Sequence, residues 1–350
     1  MKKNPYTLVF GKEPAQTISR AAQSVEVTEM FSETPSPQQV YMITGLRGMG
    51  KTVFMTEIAA ELEADNRWVV VELSSSSDLL RDFAAHLASE DAFARIFQKA
   101  KINLSFFGIG LEVSGTVPIT NIQVALTKML ESLGRQGKRI LVCIDEVIIT
   151  EHMIEFASIF QIFIRQNLPV YLLMTGLYEN INNLRNEKNL TFLYRAPRIE
   201  LKPLNIGIIS ENYKRNFNLN DENALLMARL TKGYSFAFQV MGYFTWRYDG
   251  DYEKALPEVK AYLDDYVYDK IWSELSGKDR RLCYGVAKSK TGKAKEIKEI
   301  VSLADNVYSP YRDRLLKRGV LTSTEHGYVA FTLPFFDEYV IRNYVEHNAL

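Results

Sequence analysis

Four short runs along the chain are nearly all apolar: Val40–Thr44, Trp68–Leu73, the core of Arg139–Val147, and Pro169–Thr175. Such runs predict strands buried on both faces, as in a covered parallel sheet. Between them the apolar positions recur at helical spacing, over Thr52–Ala64, Asp78–Lys101 and Asn121–Arg135. A further helix is predicted near Glu13–Phe31 and is closed by Pro35 and Pro37. Ile102–Val113 carries glycines and alternation, which predicts an inserted hairpin. Strands alternating with helices give an α/β fold with a central parallel sheet. After Pro203 the texture changes. Residues 205–275 hold no comparable strand and read as several helices. Residues 278–321 read as three short helices, and Tyr328–Leu333 as a strand. The expected organisation is a nucleotide-binding domain over 1–204, a helical lid over 205–276 and a winged helix over 277–350. No internal repeat or low-complexity segment interrupts it.

Composition narrows the class. The 350 residues are 47% apolar and 24% charged, with 19 Tyr and 19 Phe, enough for sizeable cores. A disordered chain and a disulfide-stapled miniprotein are excluded. Lys and Arg together number 42, as do Asp and Glu, so any nucleic-acid partner must be met by a local patch. The two cysteines, Cys143 and Cys283, lie in no metal-ligand spacing and are expected in the core. No run reaches ~18 apolar residues, so no membrane span is expected. The start, MKKNPYTLVFGKEP, has no apolar signal region, and a cytoplasmic protein is expected.

The strongest chemical signal is Gly45-Leu46-Arg47-Gly48-Met49-Gly50-Lys51-Thr52, which fits G-x-x-x-x-G-K-[ST] between a predicted strand and helix. Glycines let backbone N–H groups curl around phosphate oxygens, and the helix start adds positive potential. The residues expected around the phosphates are Gly45, Leu46, Arg47, Gly48, Met49, Gly50, Lys51, Thr52 and Val53. Lys51 would reach the β- and γ-phosphates of ATP and Thr52 would ligate Mg²⁺. About 95 residues on, the strand RILVCIDEV ends in Asp145 and Glu146. Asp145 is expected in the Mg²⁺ shell, and Glu146 is expected to polarise the attacking water. Adjacent carboxylates suit ATP hydrolysis. The nearest string to a guanine-reading N-K-x-D is Asn186-Glu187-Lys188-Asn189, which lacks the Asp. Thr175, ending the next strand, either senses the γ-phosphate or caps the following helix.

YMITGLRGMGKT, RILVCIDEV, PVYLLMTGL, RAPRIELKPL and KGYSFAFQVMGYFTW together resemble the archaeal-type P-loop ATPases of the STAND branch, related to origin-recognition-type AAA+ ATPases. The resemblance spans roughly residues 40–250. It implies a short strand in RAPRIELKPL with Arg195 and Arg198 at its start, and Arg195 as a candidate arginine finger toward a neighbouring subunit's γ-phosphate. It also implies that the segment before the first helix, with Pro5, Tyr6 and Phe10-Gly11-Lys12, either packs on adenine or packs on the domain itself. The lid start Ser235-Phe236-Ala237-Phe238-Gln239 lacks the arginine that AAA+ relatives often carry there.

Residues 278–318 hold twelve Lys and Arg against five Asp and Glu, a local positive excess in a neutral chain. Ala294–Leu303 followed by Val307–Gly319 resembles a helix-turn-helix, with Ser309 read as the N-cap and Pro310 as the first helical residue. A winged helix would lead with Asn306, Tyr308, Ser309, Tyr311, Arg312 and Arg314 in a major groove. Such modules also serve as packing or oligomer surfaces. Two functions follow as expectations. One is a Mg²⁺-dependent, slow ATPase acting as a nucleotide-controlled switch, with double-stranded DNA as a candidate partner. The other is a non-hydrolysing ATP-dependent switch for a protein client or for homo-oligomer assembly.

Overall fold

The computed structural model describes residues 3–9, 15–323 and 325–348, without the side chains of 345–348. Phe10, Gly11 and Lys12 lie outside the described residues. The chain divides into two compact units: Arg20–Thr44 with Lys51–Glu200, and Met1–Ser19 with Gly45–Gly50 and Leu201–Leu350.

The first unit is a parallel α/β sheet. It opens with α1 (Ala21–Ser32), β1 (Val40–Thr44), α2 (Lys51–Glu63) and β2 (Trp68–Ser74). Next come α3 (Leu79–Ser89), α4 (Asp91–Lys99), α5 (Ile122–Gly134) and β3 (Arg139–Asp145). It closes with α6 (Glu151–Arg165), β4 (Val170–Gly176), α7 (Tyr178–Arg185), α8 (Thr191–Arg195) and β5 (Arg198–Glu200). The strand order is β2-β3-β4-β1-β5, and every pairing is parallel. Every residue of β1 and β4 is buried, which is why their sequences run apolar without alternation. Asp78, Asn121 and Thr150 cap α3, α5 and α6 by accepting a backbone N–H. Arg139 ties helix to sheet. Its guanidinium lies over the Trp68 ring and donates to the carbonyls of Phe31 and Glu33 at the C-terminal end of α1, where positive charge is favoured.

The expected hairpin at 102–113 is not a hairpin. Leu104 N–H does bond Leu111 O at 2.8 Å, but Ser105–Phe107 form a 3₁₀ turn between them. The buried Asn103 side chain accepts from Ser105 N and donates to Thr116 O. A local side chain thus takes the place of a strand ladder.

The second unit is helical and ends in a small winged fold. It holds α9 (Ile206–Phe217), α10 (Asp221–Leu230), α11 (Ser235–Arg247), α12 (Tyr252–Leu263) and, after one π turn at Asp264–Tyr268, α13 (Asp269–Ser273). α11 is buried at eight of the nine positions from 237 to 245, and so is apolar nearly all round. Tyr6 is buried in this unit. Its hydroxyl donates to Asn212 Oδ1 at 2.6 Å and its ring stacks on Phe217. The ring is therefore spent on packing within this unit.

The winged part comprises α14 (Gly277–Lys288), α15 (Ala294–Val301), α16 (Asp305–Lys317), β6 (Leu321–Thr322), β7 (Ala330–Phe331) and α17 (Phe336–Asn348). β6 and β7 pair antiparallel. The expected strand at Tyr328–Leu333 shortens to β7. α16 begins four residues before the expected cap: Val307 and Tyr308 donate to Ala304 O at 3.0 and 2.9 Å, so Pro310 stands inside the helix. The carbonyl that Pro310 leaves without a helical donor belongs to the exposed Asn306, open to water. Lys232 is drawn into this part. Its ammonium donates to Phe331 O and Leu333 O, and burial lowers its pKa. Among the described residues, no helix is long and apolar enough to cross a membrane.

Candidate functional site

At the carboxyl edge of the sheet, where open α/β folds bind ligands, β3, β4 and the start of α2 bring three candidate side chains together. Thr52 Oγ1 donates to Asp145 Oδ2 at 2.7 Å. The fully buried Thr175 donates to the other carboxylate oxygen, Oδ1. Parallel register puts Thr175 beside Ile43 of β1 and Met174 beside Ile144 of β3, so β4 lies between the strands that carry the two motifs. Lys51 is the first residue of α2 and is 8% exposed.

Glu146 is held differently. Its φ is +48°, the left-handed region, which costs a non-glycine residue of order 1 kcal/mol. Three backbone contacts hold it there. Its N–H donates to Asp145 Oδ1 at 3.0 Å and to Thr175 Oγ1 at 3.2 Å, and Ser75 Oγ donates to its carbonyl at 3.3 Å. The Glu146 side chain is exposed. Ser75 belongs to the polar run that follows the β2 core. Its burial after β2 is what gives it a part here. Just behind, the Cys143 thiol is pushed up to about 12, first by burial and then by Glu72 and Asp145, which makes it an inert core group.

The glycine-rich loop between β1 and α2 has its own geometry. Gly48 and Gly50 have φ of +76° and +86°, which only glycine adopts without strain. Met49 N–H closes a turn onto Leu46 O at 3.2 Å. Alternating left-handed residues of this kind make a concave row of N–H groups suited to an anion. Arg47 lies 3.9 Å from Glu274.

A sequence-family model described as an ATPase domain predominantly from Archaea matches residues 24–191. A second model, for a domain of unknown function, matches residues 265–340. No curated protein sequence matches the chain. Among solved structures, a Walker-type ATPase of Pyrococcus abyssi aligns over 92% of this chain and 95% of its own, at 15% identity and a TM-score of 0.65. The ORC2 protein of Aeropyrum pernix, solved in ADPNP–ADP complexes, aligns over 97% of both chains at 11% identity and a TM-score of 0.62. At such identities the likeness is one of fold. It extends the archaeal-type, ORC-like P-loop ATPase architecture over both units, C-terminal winged helix included.

The other candidate residues are less tightly grouped. Arg195 ends α8 and is exposed. Arg198 opens β5 with its guanidinium 5.0 Å from the Tyr178 ring. In the winged part, Arg314 is committed internally. It donates to Asp279, which is 1% exposed, through Nε at 3.0 Å and through Nη2. Arg312 pairs with Asp313, and Tyr308 is buried. The exposed set on α16 is therefore Asp305, Asn306, Ser309, Pro310, Asp313 and Lys317, with two acids against one base. It is not the basic set that helix-turn-helix spacing suggested.

Proposed function

We propose that this chain is a slow, Mg²⁺-dependent ATPase whose nucleotide state switches the helical unit. The observation that carries the reading is the oxygen cluster of Thr52, Asp145 and Thr175, beside a glutamate whose backbone is pinned in a left-handed conformation. Hard oxygen donors at this spacing suit Mg²⁺, and Thr52 and Asp145 would hold it. When bound, the ion would neutralise charge on the phosphate oxygens. Lys51 would contact the β/γ-phosphates, Thr175 would orient Asp145, and the exposed Glu146 carboxylate would polarise water. Arg195 is proposed to act on the site of a second copy. Nucleotide is present in the ORC2 complexes of Aeropyrum pernix, which share the fold, and this supports ATP as the ligand.

The test is calorimetric titration of ATP with and without Mg²⁺, combined with steady-state phosphate release. Lys51→Ala should lose binding with the fold intact. Glu146→Gln should bind like the wild type and turn over at least tenfold more slowly, since general-base contributions are ~10²–10⁴. Wild-type affinity in Lys51→Ala would refute the phosphate-loop reading, and undiminished turnover in Glu146→Gln would move the base elsewhere.

For the output of the switch, duplex DNA binding through the winged helix is one reading. The exposed set on α16, two acids against one base, favours a second, in which that surface meets a protein client or another copy. Fluorescence anisotropy on a mixed-sequence duplex at several salt concentrations separates them. A DNA interface gives log affinity falling with log salt at roughly −0.9 per phosphate contact. No binding at ~50 mM salt, with or without ATP, leaves the protein reading.

A further inference from the structure

Three consecutive residues at the start of α11 donate to three consecutive carbonyls of the glycine-rich loop. Tyr234 hydroxyl donates to Arg47 O at 2.6 Å, Phe236 N–H to Gly48 O at 3.0 Å, and Ser235 Oγ to Met49 O at 3.0 Å. We propose that Tyr234 and Ser235 are positioning residues that set the anion-binding geometry of the phosphate loop through its carbonyls. The proposal rests on the nucleotide-binding reading above and assigns part of that site's control to these two hydroxyls.

In a trans peptide the C=O of one residue and the N–H of the next point in opposite directions. Holding the carbonyls of Arg47 and Met49 therefore turns the N–H groups of Gly48 and Gly50 toward the side away from Tyr234 and Ser235. Gly48 and Gly50 are also the two residues with left-handed φ. Glycines that can reach this conformation can leave it as readily, so the cradle needs an external constraint to persist. Tyr234 supplies a stiff one. It is 1% exposed, and its hydroxyl has a protein acceptor in place of water. A Cβ on Gly48 would lie 2.2 Å from that hydroxyl, so the clasp also demands glycine at 48. The stretch Ser235–Gln239 holds no cation that could reach a phosphate directly. What this helix start offers the loop is neutral hydrogen bonds to its backbone. By linkage, a nucleotide that orders the loop should tighten the clasp by the same factor as the clasp tightens the nucleotide.

The experiment measures ATP and ADP affinity of the full chain by calorimetry for wild type, Tyr234→Phe, Ser235→Ala and Ser235→Thr, with thermal midpoints in the absence of nucleotide. Tyr234→Phe and Ser235→Ala should each weaken both nucleotides about three- to tenfold, the worth of one hydrogen bond, and Ser235→Thr should restore wild-type affinity. If the wild type binds neither nucleotide, the ATPase reading fails and this inference with it. If the wild type binds and both hydroxyl deletions match it, the inference fails alone. A loss in Ser235→Ala that Ser235→Thr does not restore also overturns it, since packing rather than the hydroxyl would then be responsible. Should Tyr234→Phe fail to fold, the Ala and Thr pair at 235 decides.

Discussion

Arg314 and Asp279 offer a quantitative test of the winged part, because the two partners are unequally buried. Asp279 is 1% exposed, whereas the Arg314 side chain is 39% exposed. Asp279 closes a capping box at the start of α14: it accepts from Ser276 N at 3.0 Å and Ser276 Oγ at 2.7 Å, and its own N–H bonds Ser276 Oγ. Asp279→Ala removes the reciprocal half of that cap, about 1 kcal/mol, and frees an arginine that can turn to water for a further ~1 kcal/mol. Arg314→Ala leaves a buried carboxylate that cannot reach water, which costs ~3 kcal/mol. Removing the arginine should thus hurt as much as or more than removing the acid, and the double variant should cost ~1–2 kcal/mol less than the sum. The assay is native-state hydrogen exchange of peptides from 277–288 and 305–317, since one global unfolding curve is not defined for a chain of two units. Strict additivity, or an Arg314→Ala cost below ~1 kcal/mol, would refute the reasoning. The exposed Lys317→Ala is the control and should stay within ~0.5 kcal/mol. Lost DNA binding in an Arg314 variant can be read as lost contact only after this measurement.

Two further outcomes are expected. A Cβ at Gly242 would lie 2.4 Å from the Tyr6 ring, so Gly242→Ala should destabilise the helical unit by ~1–3 kcal/mol and expose the N-terminal segment to protease, while costing much less on a Tyr6→Ala background. Glu296 accepts from Thr291 Oγ1 and N–H, Lys290 N–H and Ser289 Oγ, the Thr291 hydroxyl foremost, and its carboxyl is held down to about 2. The folded value lies below the unfolded one, so its contribution is complete above the ordinary range near 4.5 and is lost as pH falls toward about 2. A carboxyl titration by NMR with a midpoint above 4 would contradict that network.

Where burial alone decides the local structure, the sequence was readable almost to the residue. Val40–Ile43 is apolar throughout because it is covered on both faces, and the strand spans Val40–Thr44 as expected. Asp145 and Thr175 could be named because each ends such a run. The misreadings share a cause, namely a polar side chain or a neighbouring element supplying hydrogen bonds that local pattern cannot show. Asn103 replaces a ladder at 102–113. Pro310, read as a helix start, is tolerated inside α16 because the carbonyl it strands belongs to an exposed residue.

The site divides along the same line. Spacing is enough to name Lys51, Thr52, Asp145 and Glu146, since each is placed by the element it begins or ends. It could not reveal that Glu146 is left-handed, because that conformation is held by Ser75, just after β2, and by Thr175 of β4. Nor could it reveal Tyr234 and Ser235, almost 190 residues beyond the loop they hold. By residue type they are a helix cap and a first helical residue, and only the three-dimensional approach makes them donors to the loop. The missing arginine at this helix start was legible as an absence. What stands in its place is chemically different. A cation would act on the phosphate itself and be weakened by salt, whereas two hydroxyls and an amide act on the loop's backbone and carry no charge to screen. In the ATPase reading, the salt dependence of nucleotide binding would then reside in Lys51 and the bound ion, and the helical unit would set affinity through loop geometry.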